Sequence, residues 1–313
     1  MNSSTKKLLD RFFQADQRAL AKLMTLIDNR HEDSLEVMSA IHDQEKGAQR
    51  IGITGPPGSG KSTLVDKLIT KYRQLEKKVG IIAIDPSSPF SGGAVLGDRI
   101  RMQEHSADNA VFIRSLGSRG AHGGLSRATR DIVSLLDAFG FDVILIETVG
   151  VGQTELDIMS IASTTLVVLV PESGDTIQTM KAGLMEIADI FIVNKSDREG
   201  ADQIFAELRS LSEMYSTGWE VPVIKTVALK NEGTTELMEI IAAHEKHRGK
   251  QEKLSDEHIL LSDCLEILLS ELSDDLTEHL SPKGKYKKIY QNLISQKCNP
   301  YSAVIEMKKK IKI

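Results

Sequence analysis

The sequence predicts an α/β fold: a mainly parallel sheet covered by helices on both faces, with helical extensions at the N- and C-termini. Three observations predict it. Short β-branched apolar runs alternate with helical patterns through the middle of the chain. Continuous apolar strands separated by helices belong to parallel sheets buried on both sides. The first fifty residues carry helical spacing without a β-branched run, and the pattern turns helical again after residue 250.

The elements follow in order. Leu20, Leu23, Met24 and Ile27 recur at the i, i+3, i+4, i+7 spacing of one helical face. Asp33 or Ser34 caps a following helix that carries Leu35, Met38 and Ile41. Residues 50–54 read as a short strand, then a glycine loop, then a helix through Leu64 and Leu68. Further strands are expected at 79–84, 143–146, 166–170, 190–193 and 221–227. Right-handed crossovers put the loops after these strands on one edge of the sheet, where chemistry should gather. Beyond residue 250, Ser255 caps a helix carrying Leu261, Leu265, Leu268 and Leu272, and Leu260, Cys264, Ile267 and Leu269 widen its apolar face. Ser281-Pro282 and Gly284 break that helix. Two more helical pieces are expected at 285–296 and 301–311, divided by Asn299-Pro300. The expected organisation is an N-terminal helical extension over 1–48, a core domain over 49–250 and a C-terminal helical arm over 251–313.

Composition bounds the function. The chain has 313 residues, 39 basic and 44 acidic, for a formal net charge of −5, which argues against whole-chain attraction to nucleic acid or anionic lipid. No apolar run approaches the roughly 18–20 residues that span a bilayer, and the N-terminus shows no secretory pattern. Two cysteines cannot make a disulfide framework, so the reducing cytoplasm is the expected compartment. The charge is unevenly spread. Residues 251–282 hold nine acids and one base, whereas 283–313 hold nine lysines and one acid. That split reads either as two solvated helices or as mutual attraction, within one chain or between subunits.

Residues 55–62, Gly-Pro-Pro-Gly-Ser-Gly-Lys-Ser, fit the P-loop pattern G-x-x-x-x-G-K-[ST], with a strand before and a helix after. Gly55, Pro56, Gly58, Ser59 and Gly60 would curl the backbone so that successive N–H groups face phosphate oxygens, with Thr63 just inside the helix whose N-terminus adds partial positive charge. Lys61 would reach the β/γ-phosphates, and the Ser62 hydroxyl would ligate Mg²⁺.

Asn194-Lys195-Ser196-Asp197 follows the expected strand 190–193 and fits the N-K-x-D base-recognition element. An ionised Asp197 accepts from N1–H and the exocyclic amine of guanine. Adenine presents an unprotonated N1 there, so the carboxylate would face an acceptor. Asn194 would brace neighbouring loops, and the Lys195 stem would cover the base. Thr226-Val227-Ala228 follows the next strand, where a backbone N–H meets guanine O6; that role is assigned to Ala228. The plain alternative for Asp197 is a helix cap.

Three acids are expected on the same edge. Asp85 ends the strand 79–84, Asp98 lies in the glycine-rich 92–99, and Glu147 ends the strand 143–146. Mg²⁺ favours oxygen ligands and is commonly held by one or two carboxylates plus phosphates. Asp85 and Asp98 are therefore metal-ligand or outer-shell candidates, and Glu147 would orient the metal's waters or the attacking water. Glu147-x-x-Gly150 occupies the place of the D-x-x-G switch, with the Gly150 N–H toward the γ-phosphate. The next residue is Val151, where Ras-like GTPases carry a glutamine that positions water. Slow intrinsic hydrolysis, accelerated by a partner, is expected.

Together these residues resemble the MeaB/ArgK family, metallochaperone-related P-loop GTPases that serve adenosylcobalamin-dependent acyl-CoA mutases. The matching stretches are 52–63, 85–102, 147–155, 170–197 and 225–233, in family order. The resemblance implies a homodimeric GTPase using GTP/GDP and Mg²⁺. Such a protein binds a mutase, with methylmalonyl-CoA mutase the favoured client, gates its cofactor loading, and protects or reactivates it. It implies phosphate and Mg²⁺ roles for Lys61 and Ser62, Mg²⁺ and switch roles for Asp85, Asp98 and Glu147, and base reading by Asn194, Lys195 and Asp197. The stretch from Glu172 to Lys181 matches a loop that couples nucleotide state to the mutase.

Three other readings compete. A transport-system kinase or ATPase would use ATP, against the N-K-S-D element. A metal-insertion GTPase of the hydrogenase or urease type needs a Cys/His cluster, yet the cysteines stand 34 residues apart and His105 and His122 are isolated in sequence. A non-catalytic scaffold would use the nucleotide only for stability.

Overall fold

The computed structural model describes residues 1–85, 105, 107–117, 127–148, 158–173, 186–214, 218–249 and 256–310. Asp98, Gly150, Val151, Lys181, His122 and Ser255 lie outside them. Two compact units result, Met1–Lys250 and Gln251–Ile313.

The first unit is built on a parallel sheet of seven strands among the described residues: β1 (Gln49–Thr54), β2 (Val79–Asp85), β3 (Val111–Gly117), β4 (Val143–Glu147), β5 (Thr164–Leu169), β6 (Ile190–Val193) and β7 (Val223–Lys225). Their order is β3-β2-β4-β1-β5-β6-β7, with β1 central between β4 and β5. All pairings are parallel, so the loops leaving β1, β4, β5, β6 and β7 share one edge. This is the doubly covered α/β architecture that the alternating pattern predicts.

Both faces are covered, as side-chain alternation requires. On one face Ile51, Ile53, Leu145, Leu166 and Val168 pack with α4 (Lys61–Gln74) and α7 (Thr234–Arg248). On the other, Ile82, Ile144 and Ile146 pack beneath α5 (Arg127–Phe139), while Val167, Phe191 and Val193 pack beneath α6 (Ala201–Met214). Gly52 faces this second side because a Cβ there would lie 2.6 Å from the Ile158 side chain.

The N-terminal helices α1 (Ser3–Phe13), α2 (Gln17–Asp28) and α3 (Ser34–His42) join that second face. Leu20, Leu23, Met24 and Ile27, spaced for one helical face, are all buried with Ile132, Leu136 and Ile144. Full burial of each such side chain stabilises by about 1.5–3 kcal/mol. Asp33 does precede α3, but its carboxylate caps nothing there. It accepts instead from the Asn2 N–H at 3.0 Å and the Thr5 hydroxyl at 2.7 Å, stitching α1 to α3.

Strand β3 has no counterpart in the sequence reading. It is an edge strand, mostly half-buried, and includes Arg114 and Ser115, so it lacks the continuous apolar run that marks its neighbours. Arg114 spends its charge at the rim, donating to Thr25 Oγ1 at 3.1 Å.

The second unit contains α8 (Asp256–His279), α9 (Lys287–Ile294) and α10 (Pro300–Lys310). A small core of Tyr286, Ile289 and Ala303 takes in Leu276 and Leu280. Pro300 opens the last helix rather than merely separating two pieces. Its missing N–H costs nothing at that position, and Asn299 Oδ1 accepts from the Ser302 N–H at 2.8 Å. Leu261, Leu265, Leu268, Leu269 and Leu272 of α8 are exposed.

Candidate functional site

The phosphate loop joins β1 to α4. Gly60 precedes α4 with φ +91°, and a Cβ there would lie 2.3 Å from Asn194 Nδ2. Both facts demand glycine. Gly60→Ala is expected to lower the melting temperature and to weaken nucleotide binding at least tenfold, since strain and a displaced Asn194 act together. A thermal melt with a nucleotide titration checks it, and wild-type affinity would refute it.

Lys61 is buried, and its ammonium donates to the Gly55 carbonyl at 2.8 Å and the Pro56 carbonyl at 3.1 Å. It therefore folds back over the loop. Ser62, also buried, donates its hydroxyl to Glu147 Oε1 at 2.6 Å. The two are 85 residues apart, brought together because β4 lies beside β1. The neighbouring hydroxyls of Thr148 and Thr54 bond at 2.9 Å and tie the two strand ends. A buried hydroxyl beside a buried carboxylate is a hard oxygen donor set, which fits Mg²⁺. Asp85 ends β2 in register with Gly117, two positions across the sheet from β1.

Asn194 links the two halves of the site. Its Nδ2 donates to the Ser59 carbonyl at 2.8 Å. Its Oδ1 accepts from Thr226 Oγ1 and from the Ala228 N–H, each at 3.1 Å. One buried amide thus joins the phosphate loop, the end of β6 and the loop after β7. Lys195 takes a left-handed φ of +56° and sends its ammonium to the Gly58 carbonyl at 2.7 Å, spanning the same gap on the outside. Thr63 lies in the first turn of α4.

Asp197 does not cap α6, which begins at Ala201. Its Oδ2 accepts from Lys230 Nζ at 3.1 Å. That bond, with the lysine's charge, lowers the Asp197 carboxyl from its ordinary value. Sequence reasoning missed Lys230; the available signal was a cation two residues past Ala228 in the same strand-end loop. It also missed Arg198, whose guanidinium donates to Glu172 and lowers that carboxyl. Nor is His105 isolated: its Nε2 lies 3.1 Å from Asp66 Oδ1 on α4. Among the described residues no three His, Cys, Asp or Glu side chains form a metal cage.

Comparison with known proteins adds to this geometry. The family model described as "Methylmalonyl Co-A mutase-associated GTPase MeaB" matches residues 20–278. A Pyrococcus abyssi protein named "Putative GTPase PYRAB02490" is 45% identical over 311 residues, covering 97% of this chain and 96% of its own. GTPase ArgK of Escherichia coli is 31% identical over 304 residues, covering 93% and 91%. The fused isobutyryl-CoA mutase of Cupriavidus metallidurans is 37% identical over 241 residues, which are 73% of this chain and 22% of that protein. The crystal structure of an LAO/AO transport system kinase matches with a TM-score of 0.70 at 24% identity, covering 100% and 99% of the two chains, and shares the fold.

Proposed function

The chain belongs to the methylmalonyl-CoA mutase-associated GTPase family MeaB, and from that premise we propose that it binds and hydrolyses GTP while associating with an adenosylcobalamin-dependent acyl-CoA mutase. Methylmalonyl-CoA mutase is the favoured client. The observation that carries the nucleotide half is the Asn194 amide, which sets the N-K-x-D loop beside the phosphate loop. A nucleotide with its phosphates at Lys61 then presents its base to Asp197. The mutase half is supported by the family and by the relative named as a fused mutase.

In this reading Lys61 exchanges the Gly55 and Pro56 carbonyls for β/γ-phosphate oxygens. Backbone N–H groups of Gly58, Ser59 and Gly60 cradle the phosphates. Ser62, Glu147, Asp85 and Asp98 would hold Mg²⁺, which neutralises charge on the transferring phosphoryl group when bound. Glu147 aligns water, the Gly150 N–H meets the γ-phosphate, and the Ala228 N–H turns to guanine O6. The Val151 side chain has no polar atom to orient the attacking water. The isolated protein is expected to turn over far below the roughly 1–100 s⁻¹ of kinases, and more quickly with the mutase. A single-turnover assay in that kinase range without partner would contradict this.

The C-terminal unit is assigned to homodimerisation, with the exposed leucines of α8 as the joining face. The protein would work in the cytoplasm, gating cofactor loading and protecting or reactivating the enzyme. The test is copurification: the full chain should retain an acyl-CoA mutase in the presence of a non-hydrolysable GTP analogue and release it with the corresponding ATP analogue. Retention indifferent to the nucleotide would reject the coupling.

A further inference from the structure

The base-reading carboxylate already has a partner. Asp197 and Lys230 meet at 3.1 Å, and Lys230 ends the single turn Ala228–Lys230 that also carries the Ala228 N–H. Two other cations stand near, and both are engaged elsewhere. Arg198 donates to Glu172, and Lys195 donates to the Gly58 carbonyl. Among the described residues, Lys230 is the cation bonded to the carboxylate. The effect is mutual, since Asp197 raises the Lys230 ammonium above its ordinary value, with Glu232 adding to it.

An ionised carboxylate has about four acceptor sites on two oxygens, so one lysine bond leaves room for two more donors. Guanine offers two, N1–H and the 2-amine, and both oxygens must lie in the base plane to take them. A short acid on an exposed loop has no intrinsic reason to hold that plane. An ammonium fixed on the neighbouring turn supplies one.

We infer that Lys230 is a positioning residue for guanine selection, holding the Asp197 carboxylate in the plane that receives N1–H and the 2-amine together. This rests on the guanine reading above. Both side chains are more than a third exposed, so the pair adds little to stability. Its contribution falls on orientation.

Equilibrium binding of GDP, IDP and ADP to full-length wild type, Lys230→Met and Lys230→Arg tests this. IDP lacks the 2-amine and offers Asp197 a single donor. The wild type should prefer GDP over both. Lys230→Met should lose about tenfold in GDP affinity, the order of one charge-assisted contact, and clearly less for IDP, so that the GDP:IDP ratio falls. Lys230→Arg should restore the ratio, and melting temperatures should agree among all three. In wild type the ratio should also fall with added salt, because exposed pairs are screened. An unchanged ratio in Lys230→Met, or tighter GDP binding, overturns the inference while leaving the guanine reading intact. A wild type that does not prefer GDP over ADP overturns both.

Discussion

Asp197→Asn is expected to move the preference from guanine to xanthine nucleotides. The carboxylate offers two acceptors, whereas the amide offers one acceptor and one donor. Guanine's 2-amine would then face an NH₂, and xanthine's 2-carbonyl would be satisfied by it. A site built around a substrate's hydrogen bonds rejects a mismatched analogue strongly, so GTP affinity should fall on the order of a hundredfold or more. XTP binding should rise in step. A competition assay with GTP, XTP and ATP reads this directly, and an unaltered GTP preference would remove Asp197 from the base site. The substitution also frees Lys230 from its partner, so the xanthine preference should be read at several salt concentrations.

Lys61→Ala should abolish most hydrolysis. Removing a charge that stabilises the transferring phosphoryl group costs on the order of 10²–10³ in turnover. Before nucleotide arrives the ammonium also bonds the Gly55 and Pro56 carbonyls, so the empty loop loses those two contacts as well. The C-terminal helices form a separate compact unit, and association between copies should survive. Sedimentation of the variant together with a mutase-protection assay makes the distinction. Intact assembly without protection supports the nucleotide-driven role. Protection that survives would favour a scaffold that uses nucleotide only for stability.

Much of this was legible in the sequence because the signals are contiguous. The strand–loop–helix around residues 50–68, the buried strands at the centre of the sheet and the helical face of Leu20 to Ile27 are each written in one short window. The exception among strands, β3, lies at the sheet edge, where one-sided burial tolerates Arg114 and Ser115 and erases the apolar run. The phosphate and base motifs were legible for the same reason. What joins them was not. Ser62 meets Glu147, and Asn194 meets Ser59, Thr226 and Ala228, through sheet order rather than sequence spacing. Lys230 and Arg198 carry no motif, since any surface lysine or arginine looks the same until its acid is placed beside it. Asp33 shows the converse: its position signals a cap, and a long-range contact to Asn2 and Thr5 takes its carboxylate instead.

The three N-terminal helices share one buried cluster with the β2–β4 side of the sheet and with α5. The segment that carries the phosphate and base motifs and the unit that folds are therefore not the same length of chain. Trimming at residue 48, where the motifs suggest a clean start, would remove α1–α3 and uncover the apolar side chains Ile132, Leu136 and Ile144 that they bury. The expected result is an insoluble fragment. In engineering terms, the nucleotide-binding module can be transplanted only with its N-terminal cover, whereas the boundary near residue 250 is the place to cut.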